Sequence, residues 1–214
     1  GLPSTALVSM LFIAWTQGEA AAVAATPILP VAMAVSSLFP GIFILMYRRG
    51  LATAFSCALL AWLALTLPLV LLGIGSIWLS VALAAAVFLV AIRLLGGVPH
   101  RRLGRVKFNA AEYVFRAAFA GSVVALAVFL GRALGPLWGG LFAAFPASFS
   151  SSTILLARRH GLEFASSVAK AMPWGSMANV VFAVAFFLSV PSLGIAWGTL
   201  TAFVTTRAAC LAAR

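Results

Sequence analysis

Apolar runs separated by short polar punctuation make up most of the chain. Eight runs are legible, at 4–25, 28–47, 51–72, 76–95, 110–132, 137–157, 162–190 and 192–213. Their boundaries fall at Thr26-Pro27, Arg48-Arg49-Gly50, Gly73, Gly96-Gly97, Gly135-Pro136, Arg158-Arg159-His160-Gly161 and Pro191. A helix that crosses a bilayer needs about 20 apolar residues, and these runs have that length. The pattern therefore predicts an all-α integral membrane protein of about eight transmembrane helices. The one long polar stretch, 96–109, separates residues 1–95 from 110–214 as a basic linker.

Composition agrees with this reading. Of 214 residues, 64% are hydrophobic and 8% charged, with a mean hydropathy of +1.16. A soluble domain is about 45–50% apolar and about 25% charged, so this chain lacks the polar surface of one. Disordered chains are apolar-poor, which excludes that class too. The first run has no basic leading region and no small-residue cleavage site, so it reads as a mature helix rather than a signal peptide.

The net charge of +11 comes from 14 Lys/Arg against 3 Asp/Glu. Arg48 and Arg49, the basic run 93–107, Arg158 and Arg159, and Arg207 and Arg214 fall at every second connection. The connections between them, near 26, 74, 135 and 191, carry only Arg132. Basic residues gather on the cytoplasmic side of membrane proteins, so both termini are expected there. Because the charges alternate with apolar runs, the expected partner is the lipid bilayer and not nucleic acid.

The chain also resembles itself. Pro27, Phe39-Pro40 and Arg48-Arg49-Gly50-Leu51 parallel Pro136, Phe145-Pro146 and Arg158-Arg159-His160-Gly161-Leu162. Ala54, Ser56 and Ala58 then match Ala165, Ser167 and Ala169 without a gap, and Gly73-Ile74 matches Gly194-Ile195. Four helices return the chain to its starting side, so the halves are expected to be parallel four-helix repeats about an axis along the membrane normal.

The run Gly140-Leu141-Phe142-Ala143-Ala144-Phe145-Pro146, followed by Gly161-Leu162-Glu163 and Gly175, resembles the GlpM-like family of small inner-membrane proteins. The resemblance covers roughly 60 residues of the second half. The first half shares Phe39-Pro40 and Arg49-Gly50-Leu51 but has Ala52 where the second has Glu163. It implies a multi-pass helical unit of a bacterial-type inner (plasma) membrane, here in two copies, and no particular activity or substrate.

The sequence offers little for catalysis. The acids are Glu19, Glu112 and Glu163, and there is no Asp. No His-Glu-x-x-His or Cys-x-x-Cys motif occurs, so neither an enzyme nor a metal or other cofactor is expected. Cys57 and Cys210 lie inside apolar runs and read as small buried hydrophobes.

Polar residues inside the runs carry the remaining signal. Lys170 lies about 12 Å into its predicted helix at 1.5 Å per residue, where a lysine costs about 2.5–3.5 kcal/mol on insertion scales. Snorkelling toward the interface is the alternative. Ser148, Ser151 and Ser152 share one face of the preceding helix at about the same depth, either lining a pocket or allowing close helix packing. Arg116 and Glu163 are placed at the mouth of that pocket, and Asn179 sits mid-helix with either a ligand or a neighbouring helix to bond. Pro146, Pro173 and Gly175 are the candidate gating positions, since proline removes a helical hydrogen bond. Two function classes follow. The first is a transporter or channel for a small polar or anionic solute with a cytoplasm-facing Ser/Lys pocket. The second is a non-catalytic subunit or assembly factor, whose partners would be a second copy or the rest of a membrane complex.

Overall fold

The computed structural model describes residues 4–96 and 109–212, with backbone alone for 4, 94–96, 162–163 and 167–172. The basic linker and Arg101 therefore lie outside the described residues. The fold is all-helical: α1 (Ser4–Gln17), α2 (Glu19–Ala25), α3 (Leu29–Ser36), α4 (Phe39–Met46), α5 (Leu51–Leu71), α6 (Ile77–Gly96), α7 (Ala110–Leu134), α8 (Pro136–Ala143), α9 (Ala147–His160) and α10 (Leu162–Ala212). Three-residue 3-10 turns, Thr26–Ile28 and Tyr47–Arg49, continue the second run, and no strand occurs among the described residues. Among the described residues, five segments are long and apolar enough to cross a membrane: Glu19–Arg49, Leu51–Leu71, Ala110–Leu134, Pro136–His160 and Pro173–Ala212.

Two expected boundaries move. The run 4–25 is not one helix, because Gly18 takes φ 92° and ψ 160°, which no helix accommodates. Thr26-Pro27, expected to end it, instead opens a 3-10 turn between α2 and α3, where the missing proline N–H costs nothing. Near the C-terminus Pro191 stays within the helix, and the break falls at Gly194 (φ 73°, ψ 170°).

The turns gather at one end of the bundle. Glu19, Gly75, Pro136 and Pro191 line one cavity, and the Ile195 N–H donates to Glu19 Oε1 at 3.0 Å. Away from that end, Arg159 meets Glu112 at 3.2 Å, joining the end of α9 to the start of α7. An Asn109–Glu112 capping box closes the N-terminus of α7. Helix α1 lies along α7, with Gln17 Nε2 donating to the Val128 carbonyl at 3.0 Å.

Burial is uneven. The apolar 18-residue stretches within Glu19–Arg49 and Pro136–His160 are 72% and 67% buried, against 17–28% for those of the other three membrane-length segments, so these two form the centre. They approach through Gly140, where a Cβ would land on the Ala25 carbonyl and 2.8 Å from Ile28 Cγ2, and Gly139 beside it faces the Gly131 Cα of α7. Trp15, Leu45, Leu72, Trp78, Phe129 and Trp197 remain exposed on the outside.

The close approach makes a contrast that can be measured. Gly140→Ala should destabilise the protein by about 1–3 kcal/mol, because the obstacle is backbone. Gly121→Ala, with open space around it, should be neutral or stabilising through helix propensity. Thermal unfolding of both variants in detergent checks the pair, and equal midpoints would contradict the packing.

Candidate functional site

Both buried segments depart from the regular α-helical ladder, Pro136–His160 at the Pro146 turn and Glu19–Arg49 at Thr26–Ile28 and again at Ser37-Leu38, and the second of these tightened stretches meets the Pro146 turn. In the second half, Pro146 has φ −78° and ψ 53°, and the Ala147 N–H donates to the Phe145 carbonyl at 2.8 Å. This is an inverse γ-turn, and it takes the Ala144 carbonyl out of the regular helical ladder. In the first half, the Ser37 and Leu38 N–H groups bond back to Ala34 and Val35, each at 3.0 Å. Pro40 has no N–H to offer the Ser36 carbonyl four residues earlier.

Ser36 bridges the two breaks. Its hydroxyl lies 2.7 Å from the Ala144 carbonyl and 2.8 Å from the Ala32 carbonyl, and accepts the Trp62 Nε1–H at 2.9 Å. All three groups are buried, where an unmade hydrogen bond costs about 1–3 kcal/mol. Aromatic rings close around this point. Phe39 and Phe145 meet edge to face at 5.8 Å, Trp62 sits 5.0 Å from Phe145, and Phe55 and Phe119 complete the layer. Such pairs add about 0.5–1.5 kcal/mol each beyond burial.

The expected site residues are distributed as follows. Ser148 Oγ lies 3.4 Å from Thr5 Oγ1 on α1. Ser151 is buried and donates to the Ala147 carbonyl at 2.8 Å, and half-buried Ser152 donates to the Ser148 carbonyl at 2.6 Å. Both hydroxyls are thus turned back onto their own helix. Arg116 is half-buried on α7. Pro146 makes the break in the second half, whereas the backbone stays helical through Pro173, which is buried, and Gly175, which is half-buried. Asn179 has its Oδ1 buried without a hydrogen-bond partner among the described residues. The side chains of Lys170 and Glu163 lie outside the described residues, and with them the contact expected between Lys170 and the serines.

Ser150 and Thr153 are each 1% exposed, and their hydroxyls have no hydrogen-bond partner among the described residues. They stand one turn apart on α9, on a different face from Ser148 and Ser152. Buried polar groups are normally bonded to protein or water, so α9 presents two hydroxyls with unused capacity. The sequence pattern pointed to Ser148, Ser151 and Ser152 and did not single out Ser150, Thr153, Ser36, Trp62 or the aromatic layer. The signal available for the layer was the repeated Phe-Pro pair, at 39–40 and 145–146.

No family model matches the chain, and neither a curated protein nor a solved structure matches it.

Removing the Ser36 hydroxyl should expose the cost of the junction. Ser36→Ala is expected to lower unfolding free energy by about 2 kcal/mol or more, since two buried partners lose a bond. In a double-mutant cycle with Trp62→Phe, the double variant should cost less than the sum of the singles. Strict additivity in denaturant titrations would show that the two side chains do not act together.

Proposed function

We propose that this protein is a multi-pass membrane transporter or channel for a small polar or anionic solute, operating at the junction of its two interrupted helices. The observation that carries this reading is the meeting, at Ser36 and Ala144, of two buried membrane-length segments, one broken at Pro146 and the other tightened to 3-10-type bonds at Ser37-Leu38. Discontinuous helices near the bilayer midplane are how many secondary transporters build their sites, and irregular backbone at that depth is tolerated only inside protein or along a cavity. The exposed Trp, Leu and Phe side chains around the bundle suit lipid rather than water.

In this reading the basic end, with Arg48, Arg49, Arg158 and Arg159, faces the cytoplasm of a bacterial-type inner membrane, and both termini lie on that side. The solute path runs along α9 past Ser150 and Thr153, with Ser148, Ser151, Ser152, Asn179 and Lys170 beside it and Arg116 and Glu163 at its mouth. The Pro146 turn and the aromatic layer form the closed gate, and Pro173 and Gly175 lend bending to α10. The eight helical runs form two parallel four-helix repeats. Supporting this are left-handed glycine turns in both halves, Gly50 beside Gly161 and Gly73 beside Gly194 in the sequence match. Descent from a duplicated GlpM-like unit belongs to the same proposal.

A second reading, a non-catalytic subunit of a membrane complex, has one observation in its favour. An apolar groove of about 710 Å³ runs between α1 and α7, lined by Val8, Phe12, Gly121 and Val124 among others, and it would seat a helix of a partner or a second copy.

Flux into proteoliposomes separates the two. Saturable uptake of a member of a panel of phosphate, small carboxylates and neutral polyols is expected. Lys170→Met should reduce it at least tenfold with unchanged folded yield, and Lys170→Arg should keep part of it. Absence of flux across the panel, together with stoichiometric co-purification of another membrane protein, would favour the subunit reading. Orientation is tested with single cysteines placed after replacing Cys57 and Cys210. An impermeant maleimide outside the cell should label Ser192→Cys and spare His160→Cys, and the reverse would invert the proposed topology.

A further inference from the structure

The end of the bundle where the turns gather holds a cavity of about 720 Å³, within the range of small-molecule sites. Its walls include Val23, Pro27, Pro136, Leu137, Phe187 and Pro191, and Glu19 is the one titratable side chain among its lining residues. Three prolines fix the backbone of the rim, so the cavity does not have to be assembled by a ligand. Glu19 is held in place. Its Oε1 accepts the Ile195 N–H at 3.0 Å, a bond between residues 176 apart in sequence that fastens α2 to the break at Gly194. Its Oε2 makes no hydrogen bond among the described residues.

We propose that this cavity is a binding site for an organic ammonium ion with apolar substituents, its positive nitrogen at Glu19 and its body against the proline, leucine and phenylalanine walls. A fixed carboxylate on an otherwise apolar wall favours a ligand that brings one positive charge and an apolar surface. An anion meets repulsion, and a neutral apolar molecule forgoes the charge pairing that a cation gains at Glu19, whose side chain is exposed. A bare metal ion is poorly served, because hard cations gather six or more oxygen ligands and Glu19 is the one carboxylate among the described lining residues. An aromatic wall adds attraction for a cation lying over the Phe187 ring. The ammonium can belong to a free solute or to the headgroup of an ethanolamine or choline lipid. This site is separate from the junction at Ser36 and does not depend on the transport reading.

Tetrapropylammonium chloride is the probe, titrated into the full chain in maltoside micelles and followed by intrinsic tryptophan fluorescence, with sodium chloride at equal ionic strength as the control. Saturable binding is expected. Glu19→Gln should weaken it at least tenfold while leaving thermal stability near that of the parent, because the amide oxygen still accepts the Ile195 N–H. Ala24→Trp, from an exposed cavity-lining position, should block binding by filling the space with the carboxylate intact. Adding phosphatidylethanolamine, but not phosphatidylglycerol, should compete if a lipid headgroup is the occupant, and neither should compete if the ligand is a free cation. Failure of tetrapropylammonium to bind saturably, or equal binding by Glu19→Gln, would overturn the proposal.

Discussion

A helix interrupted inside an apolar bundle leaves backbone groups that water cannot reach, and each must find a partner or cost several kcal/mol. Two departures from the helical ladder meet at the centre of the bundle, at Ser37-Leu38 and at Pro146, and the chain resolves the second with a side chain from beside the first. The Ser36 hydroxyl, supplied from beside the break between α3 and α4, lies on the Ala144 carbonyl released by the Pro146 turn, while Trp62 anchors the same hydroxyl from α5. The two central segments are therefore tied together where each is weakest. Neither break is satisfied in this way if the halves move apart.

Much of the remaining architecture serves that contact. Gly139 and Gly140 let α8 approach α7 and α2 to backbone distance, which sets the depth at which Ala144 meets Ser36. The rings of Phe39, Phe55, Phe119 and Phe145 then exclude solvent from the junction. At the turn-rich end Glu19 fastens α2 to the Gly194 break, and Arg159 ties α9 to the start of α7. Both are contacts between distant parts of the chain on either side of the buried junction. A layer of packed rings opens as a unit rather than gradually, because close-packed interiors resist continuous deformation. That property is what a gate between two water-filled spaces requires.

Hydropathy and turn residues made the helical class and most boundaries legible, since apolar run length and Gly/Pro punctuation are local signals. Gly18 was hidden because it sits between Gln17 and Glu19 with apolar residues on both sides, and only its dihedral angles reveal a turn. Pro173 shows the opposite case: proline is a strong breaker signal in isolation, yet α10 remains helical through it. The serines of α9 were noticed, but a helical wheel does not show that Ser151 and Ser152 spend their hydroxyls on their own carbonyls. Ser36 was invisible in principle. A lone serine in an apolar run reads as small-residue packing, and its partner lies 108 residues away.

The central claim is that positions 36 and 144 meet in the membrane and must separate for the protein to work. The most direct measurement is a disulfide trap. Ser36→Cys and Ala144→Cys are introduced together after replacing Cys57 and Cys210, and the protein is oxidised in native membranes and assayed for solute flux before and after reduction. The account predicts efficient intramolecular cross-linking, loss of flux on oxidation and recovery on reduction. Two free thiols after oxidation, or a cross-linked protein that carries solute as well as the reduced one, would contradict it.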